Sequence, residues 1–342
     1  MSTPAEIPFK EVLSALLDAD TPLHPRYLFR LSDLESEDLN QLKAIWSQIP
    51  VWRRQALLED IEELGESDYL LSFEAFSRFA LKDEDEKVRM LAVRTLWDYD
   101  SIDLLQTFLQ MVEKDPASDV RAATASALGK YVYLGEIEEL PEEKLHHIED
   151  VLLKITNSKD TTLVRRRALE SLGFSGRKEV EPMIEAAYYS GNNDWIASAL
   201  FAMGRSAHED WASLVMEMLE NDESELRFES ARAAGELEIS EAVPRLVDLL
   251  NDEDEDVRSA AIWSLSQIGG EGVRDILESM YEETEDDEEA ELIESALDNL
   301  AFTEDMQLFS LLDVPDLEEE DLDDDLDDDL FDLFEDDEDI QD

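Results

Sequence analysis

The sequence predicts an all-α solenoid of about seven helix pairs, and three observations predict it. A frame of matching segments opens at Val88, Val120, Val164, Trp195, Leu226 and Val257, in steps of 32, 44, 31, 31 and 31 residues. Each segment has a small residue four or five positions later and an apolar or small residue at plus eight, which is the spacing of one buried helical face. Breaker residues fall between the segments, as with Pro244 in an opening turn and Gly269-Gly270 after a second helix. A fixed period of this size is the mark of stacked units, each of which buries its apolar face on the next.

Residues 1–32 form an N-terminal extension. Phe9 to Leu17 has helical spacing, and Pro22 and Pro25 end it. Residues 33–303 form the solenoid. Its first pair uses Leu39, Leu42, Ile45, Trp46 and Ile49 on one face, then Leu57, Leu58, Ile61 and Leu64 on the next. Leu70 to Leu81 and Val88 to Trp97 make the second pair. The 44-residue step holds an insertion, Tyr131 to Lys144, expected as a loop or extra turn on one face. In the most regular unit, Glu241 to Leu250 is a first helix and Asn251 to Asp256 an acidic turn suited to the positive end of the next helix. Val257, Ala261, Ile262, Leu265 and Ile268 then line the second helix. Glu288 to Leu300 fits a last helix with a polar outer side, as a terminal cap needs.

Residues 304–342 form an acidic tail, expected to be disordered. From Asp313 to Asp342, 19 of 30 residues are acidic, with Leu322, Leu326 and Leu330 four apart and Phe331, Leu333 and Phe334 following. Acidic-apolar alternation of this kind orders on meeting a partner. The formal net charge of the chain is −61, and positions 275–342 carry 33 acids and no Lys or Arg. Such a field repels phosphate, so direct nucleic-acid binding is not expected, and it favours basic partners or simple solubility. With no cysteine, thiolate metal sites and cysteine nucleophiles are excluded. No secretory signal or membrane span is read in the chain, which is expected to be cytoplasmic.

The segments Val120-Arg-Ala-Ala-Thr-Ala-Ser-Ala-Leu-Gly129, Val164-Arg-Arg-Arg-Ala-Leu-Glu-Ser-Leu-Gly173 and Asp256-Val-Arg-Ser-Ala-Ala-Ile-Trp-Ser-Leu265 resemble the second helix of a HEAT repeat. The short step resembles the bacterial, phycobilisome-lyase-type subfamily, over roughly Asp33 to Leu300. That resemblance implies a HEAT-like solenoid whose second helices line the concave side. Related hydroxylase arrays hold iron with several His-Glu pairs on second helices. This chain has one such pair, His208-Glu209, placed between units.

The arginine after the frame residue (Arg89, Arg121, Arg165, Arg227, Arg258) reads as structural, capping its helix with an acid just before the frame (Asp119, Glu225, Asp256) and tying repeats together. Positions plus two and plus six lie together, away from the buried stripe. They and a neighbour supply the candidate partner-binding row: Arg94, Arg166, Arg167, Phe201, Phe228, Arg232 and Trp263. Arg, Trp and Phe dominate binding hot spots. No catalytic set, metal site or cofactor is expected.

The function read from the sequence is a non-catalytic scaffold that binds another protein on its concave face. The acidic tail then serves as a solubilising or weakly autoinhibitory segment. Two alternatives stay open: an enzyme subunit of phycobilisome-lyase type that handles a prosthetic group, and an acidic chaperone or nucleic-acid mimic that binds basic proteins.

Overall fold

In the computed structural model, which describes residues 7–97 and 99–311 (side chains through Phe302), the frame becomes a double row of helices. A leading helix α1 (Phe9–Leu17) precedes eight pairs. These are α2 (Ser36–Ile45) with α3 (Val51–Ser67), α4 (Glu74–Ala80) with α5 (Glu86–Thr95), α6 (Ile102–Lys114) with α7 (Ser118–Glu136), and α8 (Glu142–Thr156) with α9 (Thr162–Leu172). The rest are α10 (Val180–Tyr188) with α11 (Asn193–Arg205), α12 (Ala212–Met218) with α13 (Ser224–Glu236), α14 (Val243–Leu249) with α15 (Glu255–Ile268), and α16 (Val273–Glu283) with α17 (Asp287–Leu311). The described residues contain no strand.

The frame residue is the third residue of its helix in α5, α7, α9, α11, α13 and α15. Val88, Val120, Val164, Leu226 and Val257 are buried to within 1% of full coverage, whereas Trp195 is half-covered. A side chain three positions earlier caps several of these helices. Asp85 accepts from the Val88 N–H at 3.1 Å, Asn192 from Trp195 at 3.1 Å and Thr161 from Val164 at 3.4 Å. Asp119, Glu225 and Asp256, expected to cap and pair, are exposed second residues of their helices instead.

The acids that pair with the frame arginines come from the next turn along. Arg89 grips Asp115 through Nε and Nη2, both at 2.8 Å, and its Nη1 donates to the Asp83 and Glu84 carbonyls. Arg121 repeats this with Asp160, and Arg227 with Asp252. Arg54 extends the ladder back to Asp83. Arg165 faces no acid in the next turn; it donates to the Thr156 carbonyl and lies over the Trp195 ring at 5.3 Å. Arg89, Arg121 and Arg227 thereby each close one turn and clamp the next, a geometry that matches a carboxylate side-on, whereas Arg258 donates to the Asp252 and Glu253 carbonyls of its own turn.

Second-row helices pack against one another down the whole row, whereas first-row helices contact mainly their own partners. Small residues make this possible. Gly129, Gly173, Gly204 and Gly235 stand at frame plus nine, and each faces the next repeat's plus-seven residue: Ser171, Ala202, Ala233 and Ser264. Ser171 and Ser264 then donate to the Ala125 and Ala231 carbonyls of the preceding helix at 2.8 and 2.7 Å. A row that packs more closely than the opposite row curves the stack toward itself.

The N-terminal extension is docked. Phe9, Val12 and Leu16 are buried, and Arg53 donates to the Asp18 and Thr21 carbonyls. Of the two forms expected for the insertion, a loop or an extra turn, the extra helical turn holds: it lengthens α7 to 19 residues and α8 to 15, joined by a short turn at 137–141. Tyr131 anchors it, edge-on to Phe108, with its hydroxyl donating to the Tyr99 and Ser101 carbonyls at 3.2 Å. Helix α17 runs through Leu311, past the 303/304 boundary read from composition. The expected disorder of the tail from 312 onward lies outside the described residues.

Candidate binding groove

A groove of about 650 Å³ takes side chains from five consecutive second-row elements, α3 to α11. Its floor is the small-residue face of α7, including Ala122, Ala123 and Ser126. Trp97, just past α5, stands at one end; Phe201 and Arg205 stand at the other. Tyr69, an exposed residue of the α3–α4 connection, shares a second cavity with Trp97.

Of the row expected from sequence, Arg94, Arg167 and Phe201 line this groove. Arg94 is more than half exposed and its Nε meets Glu62 at 2.6 Å. Arg167 pairs with Glu170 at 2.6 Å. Arg166 points elsewhere: it donates to Ser198 Oγ and pairs with Asp194, both at 2.8 Å, tying α9 to α11 with only 11% of its side chain exposed. Phe228, Arg232 and Trp263 lie further down the row, outside the groove's lining and each half-buried. Arg232 still reaches toward it, 4.3 Å from the Phe201 ring centre.

Arg232 is one end of a continuous stack. Phe201 lies between Arg232 and Arg205, the latter at 4.1 Å; Arg205 lies between Phe201 and Phe174, at 4.7 Å; and Tyr133 tilts against Phe174 at 5.3 Å. Four repeats contribute, and Tyr133 comes from the inserted turns of α7. Cation–π contacts of this kind hold a guanidinium flat without neutralising it. Burial lowers the Arg205 pKa to about 10, with Glu236 and Glu170 opposing the shift.

Around Arg205 and Arg232 sit Glu229 and Glu236. One oxygen of each is buried without a hydrogen-bond partner among the described residues. Burial raises the Glu229 carboxyl to about 7, against the pull of Arg232 3.8 Å away. The groove end therefore holds Arg167, Arg205 and Arg232 against Glu170, Glu229 and Glu236, and one of those acids is half-protonated near neutrality.

Sequence reasoning missed Trp97, Arg205, Phe174 and Tyr133. For Trp97 a signal existed: it stands at frame plus nine, where the later units place Gly129, Gly173, Gly204 and Gly235. A large side chain where the pattern demands none is displaced from the packing seam. Arg205, Phe174 and Tyr133 had no common register to reveal them. Among the described residues, no group of three or more His, Asp or Glu is placed to hold a metal. No described helix is long and apolar enough to cross a membrane.

Paired helices stacked in register, with a groove along their inner row, define an α-solenoid of HEAT type. The chain belongs to the HEAT-repeat family: the model for HEAT repeats matches residues 52–129, 73–173 and 212–298, together more than half of the chain. Among solved structures, YibA of Escherichia coli is 17% identical with a TM-score of 0.41, covering 80% of this chain and 95% of that one. The CpcE–CpcF complex of phycocyanin lyase from Nostoc is 20% identical with a TM-score of 0.43, covering 66% and 94%. Yeast importin-beta is 13% identical with a TM-score of 0.44, covering 87% and 47%. Comparison with curated proteins gives no match.

Proposed function

We propose that this protein is a non-catalytic scaffold that holds a segment of another protein in the groove between Trp97 and Arg205. The observation that carries the reading is the pair of anchors. Trp97 is 55% exposed at one end, and Phe201 is held between two arginines at the other, across a floor of small side chains. Large aromatic and arginine side chains supported from behind and open in front are what binding hot spots are made of. A small-residue floor lets a partner backbone or helix approach closely. The groove's lining contains no histidine, and two of its arginines are paired with its acids, as Arg94–Glu62 and Arg167–Glu170. The acidic tail serves as a solubilising and weakly autoinhibitory segment.

The test is affinity capture with the full chain as bait, in parallel with Trp97→Ala and Phe201→Ala baits whose helical content is checked by circular dichroism. Loss of the same captured protein from both variants supports the groove. Equal capture by all three baits rejects it. Capture that survives both substitutions but is eluted by moderate salt would move the contact to the acidic segment, with a basic protein as partner.

A further inference from the structure

Arg205 is the groove's unspent cation. The other lining arginines each have a carboxylate, Arg94 with Glu62 and Arg167 with Glu170, as does neighbouring Arg232 with Glu236 at 2.7 Å. Among the described residues Arg205 has no such hydrogen bond or ion pair, only the two ring faces, 4.7 and 4.1 Å from its guanidinium carbon. Its ring contacts fix the plane of the fork, and its side chain lines the groove. A preoriented guanidinium with apolar walls is a receptor for a carboxylate carried on an apolar segment.

We propose that this end of the groove is the docking site for the chain's own acidic-apolar segment, residues 322–334, with one of its carboxylates on Arg205 and its Leu and Phe side chains against Phe201 and Leu163. The inference rests on the reading of the groove as a peptide-binding surface, and it names a regulator of that surface. The match is local to Arg205, a guanidinium with apolar walls for which this segment supplies carboxylates set among apolar side chains. Positions 313–342 contain 19 acids and no base, with Leu322, Leu326, Leu330, Phe331, Leu333 and Phe334 set among them. Of the four acids in the lining, Glu62 and Glu170 are held by Arg94 and by Arg167 with Ser198, and Glu66 and Asp119 stand on α3 and α7, four and two second-row helices away from Arg205.

Reach is sufficient. From Leu311 to Leu326 the chain can extend roughly 50 Å. From α17 back to α11 is three steps of the second row, about 30 Å at ordinary helix spacings. A tethered segment of that length competes at an effective concentration near the millimolar range, so a weak contact is occupied. Occupancy is also coupled to Glu229, which faces Arg232 and Glu236 from its own helix, Glu170 and Arg167 from α9, and Arg205 from α11. Protonating Glu229 leaves the arginines in excess, so docking tightens as pH falls from 8 to 6.

Hydrogen exchange of the full chain tests this, with a synthetic peptide of residues 313–342 as the unstructured reference. We expect amides of 322–334 to exchange at least about tenfold more slowly in the chain than in the peptide. That protection should fall to the peptide's level in Arg205→Gln. It should fall equally in the double variant Leu330→Ser and Phe331→Ser, which leaves the solenoid untouched. It should also stay constant on tenfold protein dilution. Exchange at the peptide's rate in the wild-type chain overturns the proposal, as does protection indifferent to Arg205→Gln in a variant that keeps its helical content. Protection that vanishes on dilution overturns it in favour of a second copy. An unprotected segment alongside capture that depends on Trp97 would sink this inference and leave the scaffold reading standing.

Discussion

Gly235 and Ser264 are fitted so closely that a methyl group on Gly235 would lie 2.6 Å from the Ser264 hydroxyl and 2.8 Å from its Cα. The second of these atoms is backbone and cannot step aside. Gly235→Ala should therefore push α13 from α15 and cost about 1–3 kcal/mol, as overpacking does. Gly65, inside α3, is the control, since its added methyl would meet only Phe73 at 3.7 Å. Gly65→Ala should stabilise by up to about 1 kcal/mol through helix propensity. Urea denaturation of the two variants reads both signs.

The arginine ladder should be intolerant of lysine. Arg227 spends Nε and Nη2 on Asp252, both at 2.7 Å, and Nη1 on the Asn221 and Asp222 carbonyls. A single ammonium cannot serve both the carboxylate and the turn. Arg227→Lys should cost about 1–2 kcal/mol, with hydrogen exchange rising first in the repeats on either side. Arg165→Lys, where no acid waits in the next turn, should cost less.

Acid should dissolve the ladder in a defined window. The Arg121 hydrogen bonds hold the Asp160 carboxyl below its ordinary value, and those of Arg227 do the same for Asp252. A carboxylate whose folded pKa is depressed contributes fully above its unfolded value, near 4, and loses that contribution as pH falls through the folded value. The stability gap between wild type and an Asp160→Asn, Asp252→Asn double variant should be constant from pH 7 to 5 and close below about pH 4. Urea midpoints measured against pH decide it, and a gap that persists at pH 2 would contradict the assignment.

Glu229 should act in the opposite sense. Burial raises its pKa to about 7, so the folded state binds the extra proton between the unfolded value and 7. Stability then declines as pH rises through that interval, by on the order of 2 kcal/mol at pH 8. Glu229→Gln should remove this slope and be more stable than wild type at pH 8. Denaturation at pH 5.5 and 8 for both chains gives the comparison.

Trp97→Ala should separate binding from folding. With 55% of the residue exposed, its loss should change stability by no more than about 0.5–1 kcal/mol, while partner affinity should fall at least tenfold. A large drop in melting temperature would show that the indole supports the fold instead.

The periodic part of this protein was legible from residue order. The frame residues are the buried third residues of their helices, apart from half-covered Trp195, because burial against a neighbour repeats with the chain. The same periodicity placed Arg94, Arg167 and Phe201 on the inner row. Arg166 shares that register yet turns into the α9–α11 seam, because Ser198 and Asp194 of the next repeat meet it there. Arg89, Arg121 and Arg227 tie repeats together as read, but their partners were one turn further on, since a pairing across repeats leaves no mark in either segment alone.

By itself the sequence determined a helical solenoid, its period, its acidic balance and the faces its helices bury, all of which follow from local spacing and side-chain chemistry. Only the tertiary structure decided what the inner surface offers. It turned the insertion into two longer helices, brought Tyr133, Phe174, Arg205, Phe201 and Arg232 from four repeats into one stack, and left Arg205 without a paired carboxylate among the described residues. Those relations depend on the distance between neighbouring helices. Small residues more than 25 positions apart set that distance, and no single repeat encodes it.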